Sequence, residues 1–81
     1  MKVEVALTKH AQQRAVEREL TFPNTLNISN RDIVTYREND GVWEFRKNVE
    51  GKSVFFAGTL NEEGKLLVIT LYRCNHKKYS A

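Results

Sequence analysis

The sequence has very little of what covalent cross-links or membrane spans require. Cys74 is the single cysteine, so no disulfide can form within the chain, and a lone thiol fits a reducing cytoplasm. We interpret Cys74 as a small structural residue rather than a nucleophile. No apolar run approaches the roughly 18 residues of a transmembrane helix, and the first ten residues lack the apolar core of a signal peptide. We therefore expect a cytoplasmic protein that does not contact a membrane.

Positive and negative charges are nearly balanced, except for an excess of positive charge near the C-terminus. The 81 residues include 13 Lys and Arg and 10 Asp and Glu, a net charge of +3. Residues 73–81 contain Arg73, Lys77 and Lys78 and no acidic residue, so the surplus lies entirely there. A basic tail over 74–81 can contact phosphate or can be a solvated chain end. The length allows a single domain, residues 1–81, with a modest core.

The first quarter of the sequence predicts a strand followed by a helix. Residues 2–7 place Val3, Val5 and Leu7 at every second position, the period of a half-buried strand. Thr8 is a suitable helix N-cap. Residues 9–20 contain no glycine or proline and are rich in Gln, Arg, Ala and Glu, which predicts a helix over this range.

Four segments rich in β-branched and aromatic residues follow from residue 32 onward. They are DIVTYRE, VWEFRKN, KSVFFAGTL and KLLVITLYR, and the separators NDG, EG and NEEG each supply a glycine for a hairpin. We predict an α+β fold in which an N-terminal strand and helix pack on a four-stranded antiparallel β-meander. NTLNISN is typical of a loop. Ser29 and Asp32 resemble a capping box, so a helical turn could instead open the segment that follows.

The last strand predicts which face of the sheet meets the helix. Alternation places Leu67, Ile69 and Leu71 together on one aliphatic face, which we expect to pack against the helix. The opposite face would be half polar and would end in Thr70 and Tyr72.

His10, Arg14 and Arg18 recur at steps of four, so they form one band along the predicted helix. Like charges at this spacing destabilise an isolated helix by roughly 0.2 to 0.5 kcal/mol. Such a band is most often a solvated face whose arginine stems cover apolar neighbours. It can also be a phosphate site, because imidazole transfers protons near neutral pH and guanidinium groups bind phosphate. The two interpretations stay open on spacing alone.

The composition favours neither a metal nor a cofactor. Only two histidines are present, and neither has acidic residues clustered around it. RNA carries its own nucleophile, the 2′-hydroxyl group, so a site that cuts RNA needs only proton transfer and stabilisation of charge.

KHAQQRAVERE, followed about fifty residues later by LLVITLYR, resembles a family of small bacterial and phage-borne domains. This family is similar to the RelE-like toxins of the barnase–EndoU–RelE ribonuclease group. Its members begin with an H-x3-R-x3-R helix and end with a hydrophobic strand that carries a Thr and a Tyr. The layout agrees over about residues 8 to 73, and specific residues agree only at the two ends.

The resemblance implies a metal-independent endoribonuclease of the toxin type. His10 would be the general acid or base. Arg14 and Arg18 would contact phosphate, or one of them would anchor the helix to the sheet. Thr70 and Tyr72 would complete the catalytic site.

Further basic residues are candidates for contacts with nucleic acid; they are Arg46, Arg73, Lys77 and Lys78. The implied partners are RNA, free or on the ribosome, and an antitoxin. An exposed edge strand also favours a homodimer or a partner that pairs with the sheet.

The alternative is a non-catalytic phage- or plasmid-borne module that modulates a host protein or nucleic acid. Trp43, Tyr36 and Tyr79 would be its anchors, because aromatic side chains often dominate the binding energy of interfaces.

Overall fold

The computed structural model describes residues 1–73; residues 74–81, which include Cys74, Lys77, Lys78 and Tyr79, lie outside this part. The elements are β1 (Lys2–Leu7), α1 (Lys9–Glu17), β2 (Thr25–Asn27), β3 (Ile33–Arg37), β4 (Val42–Val49), β5 (Lys52–Leu60) and β6 (Lys65–Arg73). A short 3-10 helix, Asn30–Asp32, joins β2 to β3. One α-helix with six strands is the predicted α+β class, and β1 covers the predicted first strand.

The six strands form one mixed sheet in the order β2-β1-β6-β5-β4-β3. β3 to β6 each pair with their neighbours in sequence, and all these pairs are antiparallel. β1 lies parallel to β6, and β2 pairs with β1. The predicted four-stranded antiparallel meander is therefore not confirmed as the whole sheet, because β1 joins the sheet and part of the predicted loop extends it as β2. A three-residue strand is too short for a periodic signal, and the parallel pairing joins residues about 60 positions apart.

Helix α1 begins where the sequence predicts. The Thr8 hydroxyl accepts a hydrogen bond from the Ala11 N–H (3.2 Å), which satisfies one of the free donors of the first turn. Ala11 and Ala15 are the buried residues of the helix. Because both side chains are small, the helix axis can approach the sheet closely.

The helix ends at Glu17, three residues before the predicted end. Glu19 has a φ of 55°, so the backbone turns out of the helix there. The Leu20 N–H then donates to the Ala15 carbonyl (2.8 Å) and the Glu19 N–H to the Val16 carbonyl (3.1 Å). This pair of hydrogen bonds is a Schellman motif, in which the residue with positive φ is usually glycine. The sequence does not mark this helix end, because a glutamate occupies the position of positive φ where glycine is usual.

The hydrophobic core lies between α1 and one face of the sheet. Its buried members are Val3, Ala11, Ala15, Leu20, Leu26, Ile28, Phe45, Val49, Val54, Phe56, Leu66, Val68 and Leu71. Phe56 is fully buried and meets the ring of Phe22 edge to face, with centroids 5.2 Å apart. Its ring also stacks on Phe45 at 5.1 Å. The loop after α1 is thus held to the sheet by aromatic contacts.

A β-bulge interrupts the pairing of β5 with β6. Ala57 pairs with Thr70 and Gly58 with Val68, so Ile69 has no partner on β5. An extra residue in one strand changes the phase of its alternation at that point.

The bulge explains why the predicted facing of β6 is wrong in its first half. Leu66 and Val68 are fully buried, whereas Leu67 is 40% exposed. Leu71, beyond the bulge, is fully buried, as the alternation predicts. Before the bulge, the even-numbered residues Leu66 and Val68 face the core. After it, the odd-numbered residue Leu71 faces the same core.

Asp32 connects the 3-10 helix to β4. Its Oδ2 accepts hydrogen bonds from the Ser29 N–H (2.9 Å), the Ser29 hydroxyl (3.3 Å) and Lys47 Nζ (3.3 Å). The helical turn that Ser29 and Asp32 suggested as the alternative for this segment is present, as the 3-10 helix Asn30–Asp32. Partial burial raises the pKa of the carboxyl, but the Ser29 and Lys47 donors outweigh it, so the Asp32 pKa lies below its ordinary value.

Asp32→Asn is expected to lower the free energy of unfolding by about 1 kcal/mol at pH 7, because an amide loses the charge-assisted hydrogen bonds. The folded pKa is lowered, so the stabilisation is present above the unfolded pKa and is lost as the pH falls through the folded pKa. The difference from wild type should stay constant from about pH 5 to 8 and shrink below about pH 4. Urea unfolding followed by Trp43 fluorescence measures this difference. An equal difference at pH 3 and pH 7 would contradict the assigned role of the carboxylate.

Candidate functional site

His10 and Arg14 lie one turn apart on the exposed side of α1. Arg14 Nε donates a long hydrogen bond to His10 Nε2, with 3.5 Å between the two nitrogens. Gln13 and Glu17 complete the lining of an open depression around the pair. The structure therefore brings together two of the three residues of the predicted band.

Arg18, the third residue of the band, lies at the C-terminal end of α1. Its N–H donates to the Arg14 carbonyl (2.9 Å), and its side chain is exposed. A cation at this end interacts favourably with the helix dipole, so Arg18 has a stabilising role that needs no ligand.

Arg14 also has an acidic neighbour on the helix. Its Nη1 lies 3.9 Å from Glu17 Oε1, and this exposed ion pair is worth at most about 1 kcal/mol.

Thr70 and Tyr72 lie on the sheet face opposite α1. Leu71 between them is buried on the helix side, and successive side chains of a strand point to opposite faces. Tyr72 is 42% exposed, and its ring stacks on Phe55 with centroids 5.0 Å apart and planes 20° from parallel. Thr70 is half-buried and pairs with Ala57. Thr70 and Tyr72 thus lie on one face of the sheet. The helix that carries His10 and Arg14 packs on the other face.

The start of α1 is hydrogen-bonded to the edge of β6, which joins the two parts of the predicted site. The Thr8 N–H donates to the Val68 carbonyl (3.0 Å), and the Thr8 hydroxyl donates to the Ile69 carbonyl (3.4 Å). The pairing of β1 with β6 extends only to Val68. His10 follows Thr8 by two residues, and Thr70 follows Ile69 directly. A ligand at this edge can therefore meet the first turn of α1 and the end of β6.

The other basic candidates are distributed around the end of β6. Arg46 is exposed on β4 and pairs in register with Phe55, which in turn pairs with Tyr72. Arg73 is exposed at the last position of β6 and pairs with Val54. Lys77 and Lys78 belong to the tail, outside the described residues.

Phe55 is an aromatic residue beside Tyr72 that was not predicted, although the sequence carries a signal for it. Phe55 and Phe56 are adjacent, so in a strand one of the two rings must leave the core side. Phe56 takes the buried position, and Phe55 lies on the opposite face beside Tyr72.

Comparisons of the chain with protein-family models, with curated proteins and with solved structures found no significant match. The RelE-like resemblance therefore stays a prediction that depends on two segments of the sequence. Within residues 1–73, no three His, Cys, Asp or Glu side chains are grouped so that they could hold a metal ion. The one α-helix of this same range is too short and too polar to cross a membrane.

Proposed function

We propose that the protein is a metal-independent endoribonuclease of the RelE-like toxin type, which cuts RNA by attack of a 2′-hydroxyl group. The observation that supports this proposal best is the exposed His10–Arg14 pair, one turn from the junction of α1 with β6. An imidazole that transfers protons and a guanidinium that binds phosphate are then adjacent, which is the combination that RNA cleavage needs.

In the proposed reaction, His10 Nε2 leaves its long contact with Arg14 Nε and accepts the proton of the 2′-hydroxyl while the 2′-oxygen bonds to the neighbouring phosphorus. The bond from phosphorus to the 5′-oxygen breaks, and this oxygen takes a proton from the imidazolium. The products are a 2′,3′-cyclic phosphate and a 5′-hydroxyl end. Arg14 would stabilise the negative charge that grows on the phosphate oxygens. RNA in the cytoplasm is the proposed substrate, free or on the ribosome, and an antitoxin would be the natural protein partner of such a toxin.

His10→Ala is expected to reduce RNA cleavage at least about 100-fold, because general acid–base catalysis typically contributes 10² to 10⁴. The assay uses purified protein, an end-labelled single-stranded RNA and gel electrophoresis, and it identifies the cyclic phosphate end. His10 is exposed, so the substitution should leave the thermal unfolding midpoint almost unchanged.

Gln13→Ala is the matched control, since Gln13 lines the same depression and carries no titratable group. The control variant should cleave RNA at close to the wild-type rate. Undiminished cleavage by folded His10→Ala protein would remove His10 from the reaction.

A non-catalytic module that binds a host protein is the second candidate. It is favoured by aromatic side chains near the outer edge of the sheet, where Tyr36 of β3 is 46% exposed and its ring packs on Trp43 at 4.4 Å. This candidate predicts no RNA cleavage by the wild-type protein and a co-purifying host protein that is lost on Tyr36→Ala. RNA cleavage that depends on His10 would decide against it.

A further inference from the structure

A second open depression, with a volume of about 320 Å³, lies where four segments of the chain meet. The segments are the residue before β1, the end of β2 with the residues after it, the 3-10 helix and β4. This volume is at the small end of the range for ligand pockets. We refer to the depression as the β2–β4 pocket, and its polar and charged groups come from Met1, Asn27, Ser29, Arg31, Asp32 and Lys47.

Two positive groups of the β2–β4 pocket are held in place by other parts of the protein. The α-amino group of Met1 donates a hydrogen bond to the Ile28 carbonyl (2.8 Å), and the Ile28 N–H donates to the Met1 carbonyl (2.7 Å). Lys47 Nζ donates to Asp32 Oδ2 (3.3 Å), and neither side chain of this ion pair is more than 24% exposed. An ammonium group has three N–H donors, so each of these two groups keeps two donors for a ligand.

Arg31 supplies the third positive group, and the rest of the protein leaves it unused. The residue is exposed, and within residues 1–73 its guanidinium group takes part in no hydrogen bond or ion pair. Its backbone is held by the next residue, because Asp32 is hydrogen-bonded to Ser29 and Lys47. A guanidinium group can donate to two oxygens of one phosphate at once.

The charges that line the β2–β4 pocket leave a positive surplus. Asp32 is the one carboxylate among the lining residues, and it offsets Lys47. The charges of Arg31 and of the α-amino group have no acidic partner within the described residues. Three positive groups against one carboxylate give a balance of +2. Lys2 and Glu4, the charged residues of β1, have opposite signs and do not change this balance.

A surplus of two positive charges, carried by groups with several free donors, fits a ligand group with two negative charges and several acceptor oxygens. A phosphate monoester has about 1.5 to 2 negative charges at neutral pH and three acceptor oxygens. A carboxylate has one charge and two oxygens, so it would leave part of the donor set unused.

We propose that the β2–β4 pocket binds a terminal phosphate group, which is held by Arg31, Lys47 and the α-amino group of Met1. The side-chain amide of Asn27 is a further donor at the rim. The inference goes beyond the proposed function, because the pocket shares no lining residue with the depression around His10 and Arg14. A small phosphate ester and the 5′-phosphate end of a nucleic acid both present such a group.

Amide NMR spectra of isotope-labelled protein test the site, with inorganic phosphate as the probe. Phosphate replaces chloride at constant ionic strength, so that the screening of charges stays the same. Saturable shifts are expected for the amides of Ser29, Arg31 and Asp32. Arg31→Gln should raise the Kd about tenfold, because the charge-assisted hydrogen bonds of the guanidinium group are lost. Shifts confined to residues 10–17 would overturn the proposal, since phosphate would then bind only beside His10 and Arg14.

Arg37→Gln is the matched control, and thermal unfolding checks that both variants fold. It removes the same charge from an exposed arginine of β3 that does not line the pocket, so the Kd should stay within about twofold of wild type. Acetate tests the carboxylate alternative and should bind at least about tenfold more weakly than phosphate. An unchanged Kd in folded Arg31→Gln protein, an equal loss in Arg37→Gln, or acetate that binds as tightly as phosphate would overturn the proposal.

A trinucleotide of 2′-O-methyl RNA with a 5′-phosphate identifies the source of the phosphate group. It has no free 2′-hydroxyl group, so the proposed reaction cannot cut it, and the same trinucleotide with a 5′-hydroxyl end is its control. Binding that is tighter than that of inorganic phosphate and depends on the 5′-phosphate would support a nucleic-acid end as the ligand. Equal or weaker binding would support a small phosphate ester.

Failure of the proposed function gives a different result from failure of the pocket. If phosphate binds the β2–β4 pocket and wild-type protein cuts no RNA, the pocket proposal stands and the endoribonuclease proposal falls. If RNA is cut and phosphate shifts no amide of the pocket, the pocket proposal falls and the endoribonuclease proposal stands.

Discussion

Replacing Gly58 by alanine is expected to destabilise the protein by about 3 kcal/mol, roughly 15 °C in the unfolding midpoint of a domain this size. Gly58 is buried in β5 at the bulge, where it pairs with Val68. A Cβ atom there would overlap the carbonyl oxygen of Leu67 and lie 3.0 Å from the carbonyl carbon of Leu67 and 3.1 Å from Val68 Cα. These are backbone atoms of the neighbouring strand, so only a shift of β6 itself can relieve the overlap.

Gly41→Ala is the matched control for the Gly58 experiment. Nothing lies within 4 Å of a Cβ added at Gly41, whose φ is +69°. Its cost is therefore the cost of a side chain at positive φ alone, about 1 kcal/mol. Urea unfolding of both variants gives the comparison. A loss at Gly58 that is no larger than the loss at Gly41 would show that β6 moves freely at the bulge.

Phe56→Ala is expected to destabilise the protein by about 4 kcal/mol, which is a large part of the stability of a small domain. The ring is fully buried and touches Phe22 and Phe45, so its removal leaves a cavity that these two rings cannot fill without moving. Because Phe22 follows α1, the loop that joins the helix to β2 should loosen as well. Calorimetry gives the loss of stability, and hydrogen exchange of the loop amides gives the loosening.

Phe56→Leu is the control that keeps most of the buried volume, and it should cost about 1.5 kcal/mol or less. Phe55→Ala provides a second comparison, because Phe55 occupies the half-buried position on the opposite face. It should cost clearly less than Phe56→Ala. Equal losses at the two positions would contradict the assignment of Phe56 to the core and of Phe55 to the open face.

Several elements of the fold could be predicted because their signals are local. The period of two over residues 2–7 predicts β1, and Thr8 marks the start of α1. Glycine marks the hairpins between the later strands, and Gly41 and Gly64 have φ values of +69° and +80°. Each of these signals involves residues a few positions apart, and a sequence displays such relations directly.

The candidate site could be predicted only in part. Spacing of four predicted that His10 and Arg14 share one band of the helix, and in the structure their side chains are also in contact. Alternation predicted that Thr70 and Tyr72 lie on the sheet face opposite the helix, and they do. Spacing did not predict the register that pairs Phe55 with Tyr72 or the stacking of their two rings. Those relations depend on the register between strands, which is set by the packing of a whole sheet on its core.

By itself, the sequence determined the α+β class, the start of the helix, the glycine turns and the shared helix band of His10 and Arg14. The tertiary structure alone decided that β1 lies parallel to β6, that Glu19 ends the helix and that the bulge at Ile69 reverses the first half of β6. The physical reason is one of range. Helix caps, turns and neighbours on a helix face depend on nearby residues, whereas strand order, bulges and shared sheet faces depend on which distant side chains fill a common core.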